Sequence, residues 1–268
     1  MTILSLNKTT GFVGNIPACF DSVNPNLFLC LERIIMNEIF LILQLILIYS
    51  SILVAYRIFG KIGLFAMNII CTIFANIEVL VLVDAFGIEQ TLGNIIFSST
   101  YLVTDILSEN EGKKEASKAV WIGVLTSIMM LIISQYWFLY TPSGNDWAMP
   151  ALKTIFSTTP RLMLASLLGY IISQRFDVWL YHKWWDFTTK KTGNSKTFLW
   201  LRNNGSTMIS QLVNTIVFTL TAFAGTYNVK LLLSIMLSSY IIYFITSLFD
   251  TPFVYLARKL KNSGKIPE

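Results

Sequence analysis

The chain has 268 residues, 54% of them hydrophobic and only 13% charged, with a mean hydropathy of +0.61 and a formal charge of +5. Soluble domains carry about 25% charged residues, so this composition argues against a soluble globular fold and specifies a polytopic membrane protein. Three cysteines without pair spacing and a single histidine leave no disulfide framework and no Cys/His metal centre, and the positive charge is a matter of loop placement rather than of nucleic acid binding.

Residues 1–26 are polar and turn-rich (Gly11, Gly14, Pro17, Pro25), without the basic start and early apolar core of a cleavable signal, and open a polar N-terminal arm over 1–37. Seven stretches follow, at 38–57, 61–83, 91–107, 119–140, 153–180, 206–225 and 230–257. Each is long enough, or nearly so, to cross a hydrocarbon core, which takes about 20 helical residues. They predict an all-α bundle of seven transmembrane helices forming one domain over 38–258, with a tail over 259–268. The second stretch places Asn68, Thr72 and Asn76 on one face, with Glu78 half a turn away. An unpaired acid at a membrane helix centre costs about 2.5–3.5 kcal/mol, so Glu78 needs a partner or water.

The third stretch is the shortest and the most polar. Asn94, Ser98, Tyr101 and Asp105 recur at steps of four, three and four and so stack on one face, and the segment ends in the pair Asp105 and Glu109. A membrane helix with a wet side suits one wall of a solute cavity. Pro160 and Arg161 interrupt the fifth stretch, where a lost helical hydrogen bond predicts a kink or a broken helix. That stretch ends in SQRFDVWLYHKWW, in which Gln174 and Asp177 share a face, Arg175 can pair with a neighbouring acid, and Trp179, Trp184, Trp185 and His182 read as interfacial residues. The sixth stretch carries a second polar stripe, Asn203, Thr207, Gln211 and Asn214, beside Ser206 and Ser210. Asp250-Thr251-Pro252 gives the seventh a kinked, polar end.

Charge placement tests this topology. The linkers near 57–61, 108–118 and 181–205 and the C-terminal segment together hold fourteen of the 20 Lys and Arg residues, whereas the opposite linkers and the N-terminal arm hold Lys8, Arg33 and Lys230. Under the positive-inside rule this places the N-terminus outside and the C-terminus in the cytoplasm of a plasma-membrane protein. It also argues that the polar third stretch crosses the membrane.

Catalytic patterns are absent. The chain has no Gly-rich loop followed by Lys-Ser/Thr, no Gly-x-Ser-x-Gly elbow and no nucleophile–base constellation. The reading is therefore a transporter of a small polar solute rather than an enzyme, with no cofactor and no metal. Carboxylates accept adjacent N–H donors, amides donate and accept, and aromatic rings offer a stacking face. A flat nitrogenous base of the purine type matches, and an amine or a vitamin fits the same side chains.

Four segments in order, TDILSENEG with Tyr101 ahead of it, KKEASKAVWIG, QRFDVWLYHK and WLRNNGSTMISQLVNTIVF, resemble the queuosine precursor transporter family, also grouped as vitamin uptake transporters. The resemblance implies import of 7-deazaguanine precursors such as queuine for tRNA modification. It also implies a bundle similar to the substrate-binding subunits of energy-coupling-factor importers, with an additional first helix. Asp105, Glu109, Asp177, Arg202, Asn204, Ser206 and Gln211 stand at matching positions, whereas Asn214 stands where many relatives have Asp. The substrate-binding set expected from stripes and resemblance together is Asn76, Glu78, Phe97, Tyr101, Asp105, Glu109, Asp177, Asn204, Gln211 and Asn214. In it Asp105 meets the donor edge of the base, with Glu78 or Asp177 next. Asn204, Gln211 and Asn214 read a carbonyl, and Phe97 or Tyr101 stacks on the ring. The expected partners are this solute and the lipid bilayer, with room for a homodimer. The alternatives are a transport subunit that needs an ATP-driven partner and, behind it, a membrane enzyme.

Overall fold

The computed structural model describes residues 27–156, 160–194 and 196–267; the expectations for residues 1–26 lie outside them. Its first element, α1 (Leu27–Glu78), is two helical arms joined at Gly60, where φ +59° and ψ −144° break the helix. The chain doubles back there. Gln44 on the first arm donates to Glu78 on the second at 2.9 Å, and Asn37 donates to the Asp84 carbonyl at 3.0 Å. Glycine is required twice over, by the positive φ and because a Cβ would lie 2.6 Å from the Pro267 carbonyl oxygen. The two arms are the first two stretches read from the sequence.

A short antiparallel hairpin then appears that the sequence reading does not contain. β1 (Leu82–Ala85) pairs with β2 (Ile88–Thr91) in the register Leu82↔Thr91 and Ala85↔Ile88. Phe86 and Gly87, with φ of 54° and 71°, form its two-residue turn. Positive φ at both central positions is the geometry that matches the strand twist. Helix α2 (Gly93–Asn110) follows, then α3 (Lys113–Tyr136), α4 (Met149–Phe156), α5 (Pro160–Thr192), α6 (Leu199–Phe223) and α7 (Val229–Asn262). Helices α4 and α5 are bent by 54° at the break ahead of Pro160, in keeping with the kink or broken helix read there from the sequence. Helix α7 continues past 258 into the segment expected as a tail.

Four of these helices are long and apolar enough to cross a membrane, or five if α4 and α5 count as one bent span. Helix α2 is not among them on composition, but it needs no lipid-facing surface because sixteen of its 18 residues are buried. It is the axis of the bundle, packed by α1, α3, α5 and α7. Leu43, Leu47, Val54, Leu125, Leu233 and Leu237 point outward and are at least half exposed, the inside-out arrangement of a helix bundle solvated by acyl chains. All-α and polytopic, the fold is the one the sequence specifies.

Polarity separates the two ends. Contacts of Gly60 with Pro267, of Glu111 with Lys261 and of Glu109 with Arg202 and Arg258 gather the α1 turn, the α2–α3 link, the start of α6 and the end of α7 at one basic end. The β-hairpin and the α6–α7 link lie at the other, where Arg161 caps α6 through the carbonyls of Thr221 (2.9 Å) and Ala224 (2.6 Å).

Candidate functional site

The polar face of α2 forms a column of layers through the bundle. Nearest the β-hairpin, Tyr243 on α7 donates to Asn94 at 3.0 Å. One turn on is an aromatic layer in which Phe97 meets the rings of Tyr101, Tyr170 and Tyr243 at centroid distances of 5.7, 6.1 and 6.0 Å. Next, Tyr101 donates to Ser173 at 2.7 Å, and Gln174 donates to Thr100 at 2.7 Å while accepting from Thr104 at 3.1 Å. The Asn94 amide nitrogen is left unpartnered among the described residues. The other polar atoms of these layers are largely satisfied, as buried polar groups must be.

The following layer is different. Asp105, Asp177 and Gln211 are each fully buried. Asp105 accepts from Thr207 at 2.9 Å through one oxygen, but its other oxygen has no hydrogen-bond partner among the described residues. Both oxygens of Asp177, both polar atoms of the Gln211 amide and the Ser210 hydroxyl are likewise unpartnered. The Asp105 and Asp177 carboxylates lie within direct reach of each other, and Ser206 and Ser210 lie beside Asp177 without the geometry of a good hydrogen bond. Asp250 on α7 completes the layer, accepting from Asn203 at 2.6 Å and close enough to Asp177 and Asp105 to interact electrostatically. Leaving a buried donor or acceptor unpaired costs about 1–3 kcal/mol. Such groups are contributed here by α2, α5 and α6.

The basic end closes beneath this layer. Glu109 accepts from Arg202 Nε (2.9 Å) and Nη2 (2.7 Å), from Tyr181 Oη (2.7 Å) and from Arg258 Nη1 (3.3 Å). The Arg202 guanidinium lies 4.2 Å over the Trp185 ring, and its Nη1 donates to the Thr197 carbonyl at 2.9 Å. Alongside, Glu111 takes Lys261 and Tyr56, each at 2.8 Å.

The expected site residues therefore divide. Asp105 and Asp177 come together, while Gln211, whose amide is unpartnered, lies one turn along α6 from the Thr207 that bonds Asp105, and Asn214 lies further along against Gly169. Asn204 sits to the side, donating to Thr251 at 2.8 Å and to its own helix at Trp200. Phe97 and Tyr101 occupy the aromatic layers above. Three others are engaged elsewhere. Glu78 is half-buried near the β-hairpin and held by Gln44, Asn76 donates to the Thr72 carbonyl at 2.8 Å, and Glu109 is taken by its three cationic and phenolic partners. In the stripe of Asn68, Thr72 and Asn76, Asn68 fastens α1 to the Ala119 carbonyl of α3 at 2.7 Å, whereas the buried Thr72 hydroxyl has no partner among the described residues. Arg175 pairs with no acid among the described residues and lies 5.4 Å over Trp121. Of the residues expected at the membrane interface, Trp185 is instead part of the Arg202 stack and faces His182 at 5° interplanar angle.

Asp250 is the residue that the sequence reading passed over. Its signal was present, because Tyr243, Thr246, Ser247 and Asp250 form a buried polar stripe on α7 at helical spacing. The proximity of Pro252 drew it into a helix-end reading instead.

A family model described as "Putative vitamin uptake transporter" matches residues 91–257. The chain is also similar to a Bacillus subtilis (strain 168) protein named "Probable queuosine precursor transporter", at 39% identity over 224 residues that cover 84% of this chain and 96% of that one. No solved structure matches. The family match begins just ahead of α2 and ends within α7, enclosing every helix that contributes to the unpartnered layer. The chain belongs to the vitamin uptake transporter family and is a multi-pass membrane transporter.

Proposed function

We propose that the protein imports a queuosine precursor, a base of the 7-deazaguanine class, across the plasma membrane with its basic end in the cytoplasm. The observation that carries this reading is the layer of unpartnered polar atoms on Asp105, Asp177, Ser210 and Gln211 at the buried centre of the bundle. A guanine-like edge presents adjacent N–H donors and a carbonyl, which carboxylates and an amide complement. Phe97 and Tyr101 supply aromatic surface above the layer. The similar Bacillus subtilis protein, named for queuosine precursor transport, supports the choice of solute. The placement of fourteen basic residues at one end supports the orientation. In this reading Glu78, Asn76 and Glu109 belong to the scaffold rather than to the binding set.

The test is uptake of radiolabelled queuine by cells that cannot synthesise it, with and without the protein, repeated in proteoliposomes of the purified chain. Saturable uptake in both, competed by 7-deazaguanines, is the expected result. Uptake in cells but not in proteoliposomes assigns the chain to a partner-dependent transport subunit. Uptake in neither, from correctly inserted protein, overturns the assignment of the solute.

A further inference from the structure

Away from the buried layers, the outer face shared by α3 and α5 changes character along its length. Leu125 on α3 and Leu168 and Ile172 on α5 are exposed and apolar, as a lipid-facing surface requires. Nearer the basic end the same faces turn cationic and aromatic. On α5, Arg175, Trp179 and Lys183 recur at steps of four, and on α3 Lys114, Lys118 and Trp121 recur at steps of four and three. All six are exposed. The two helices run antiparallel and in contact, with Gly123 against Tyr170 and the Arg175 guanidinium 5.4 Å over the Trp121 ring. The Lys183 ammonium lies 5.7 Å from the Trp179 ring.

Arg175 is the residue out of place. It stands six residues ahead of Tyr181, which bonds Glu109, so about 9 Å of helical rise separates it from the basic end. The same stretch of α5 sends Gln174 and Asp177 into the core, yet Arg175 faces outward. A cation on a lipid-facing surface at that depth is costly unless an anion or water reaches it. Among the described residues, no acid forms an ion pair with Arg175, Lys183 or Lys114. The acids nearest in sequence are Glu115, which Lys118 holds at 2.7 Å, and Asp186, a turn beyond Lys183. The surface therefore carries an excess of positive charge beside an apolar strip. A guanidinium and ammonium groups between tryptophans suit a phosphate, and the strip above them suits acyl chains. A soluble anion would use the first of these features and not the second.

We propose that the outer face of the α3–α5 pair binds one anionic phospholipid of the leaflet at the basic end. Arg175, with Lys183 and Lys118, holds the phosphate, and the acyl chains lie along Leu125, Leu168 and Ile172. The bound lipid bridges the two helices and stabilises their contact.

The test uses the purified full chain and two lipids with the same acyl chains, phosphatidylglycerol and phosphatidylcholine. Native mass spectrometry reads which lipid is retained from an equal mixture, and melting in detergent reads the stabilisation by each. The wild type is expected to retain phosphatidylglycerol over phosphatidylcholine on the order of tenfold, the scale of a few basic residues acting on one headgroup. It is also expected to melt higher when phosphatidylglycerol is added. Arg175→Gln is expected to remove both effects while melting in phosphatidylcholine stays near wild type. Lys230→Gln, an exposed lysine at the opposite end, is expected to leave both unchanged. Should Arg175→Gln not fold, the double variant of the exposed lysines, Lys114→Gln with Lys183→Gln, is expected to weaken the retention severalfold. Equal retention of the two lipids by the wild type overturns the proposal. A preference that survives both the arginine and the double lysine variant overturns its location. Equal stabilisation by soluble glycerophosphate assigns the cations to a free anion and overturns the lipid.

Discussion

Arg202 reaches Glu109 with two nitrogens, Nε at 2.9 Å and Nη2 at 2.7 Å, although both side chains are all but inaccessible. Removing one partner of such a pair leaves the other buried and uncompensated, at about 3–5 kcal/mol. Glu109→Gln and Arg202→Ala are each expected to lower the melting temperature in detergent markedly. Arg202→Lys is expected to recover only part of the loss, because an ammonium cannot fork onto the carboxylate and stack on Trp185 together. Equal melting of wild type and Glu109→Gln would remove the pair from the scaffold.

Two buried glutamines provide an internal contrast. Gln174 makes hydrogen bonds to Thr100 and Thr104, whereas neither polar atom of Gln211 has a partner. Gln174→Ala is expected to cost about 1–3 kcal/mol of stability, the penalty for stranding buried groups. Gln211→Ala is expected to leave melting near wild type and to cut uptake about tenfold. Paired uptake and melting measurements read both effects, and the reverse assignment would move the binding layer up one turn.

Asp105 and Thr207 join α2 to α6 by a 2.9 Å hydrogen bond that orients one carboxylate oxygen and leaves the other unpartnered. Asp105→Asn is expected to abolish uptake. Thr207→Val removes only the orienting donor and is expected to reduce uptake severalfold, on the scale of about 1 kcal/mol for one neutral hydrogen bond. Unchanged uptake in Asp105→Asn at normal expression would take Asp105 out of the site.

Helices α3 and α5 touch through Gly123, where a Cβ would lie 2.0 Å from the Tyr170 hydroxyl oxygen. Gly123→Ala is expected to destabilise by about 1–3 kcal/mol through overpacking. Tyr170→Phe in the same chain is expected to restore part of that, since the ring carbons at 2.5 and 2.9 Å still crowd the methyl group. Thermal melting of the single and double variants checks both statements.

Orientation has a direct test. A green fluorescent protein fused after Glu268 is expected to fluoresce, and alkaline phosphatase at the same place to remain inactive, because the C-terminal segment shares the basic end with Gly60. The opposite pair of results would invert the direction assigned to the chain.

How much of this was legible in the sequence depended on range. The stripes Asn94–Asp105 and Asn203–Asn214 are statements about one helix each, and both faces are buried as the spacing requires. The reversal near Gly60 was legible for the same reason, as a short break between two apolar runs. What the spacing could not disclose was which stripe faces which. Asn68 and Asn76 read like the others, yet one bonds to α3 and the other to its own helix. Glu109 sat beside Asp105 in the sequence, but its fate is set by Arg202, ninety-three positions away. The β-hairpin escaped because Phe86-Gly87 lacks the Asn-Gly or Asp-Gly signal and its strands are only four residues each.

The Glu109 cluster draws α2, α5, α6 and α7 into one fastening directly below the layer of unpartnered groups. Under the import proposed above, a solute leaving through the basic end has to pass that fastening. That proposal sets ruggedness against speed. A substitution that tightens the cluster raises the melting point and slows delivery, and one that slackens it does the reverse. Selection for a heat-stable variant would be expected to harvest slow transporters, with their changes gathered around Glu109 rather than around Asp177.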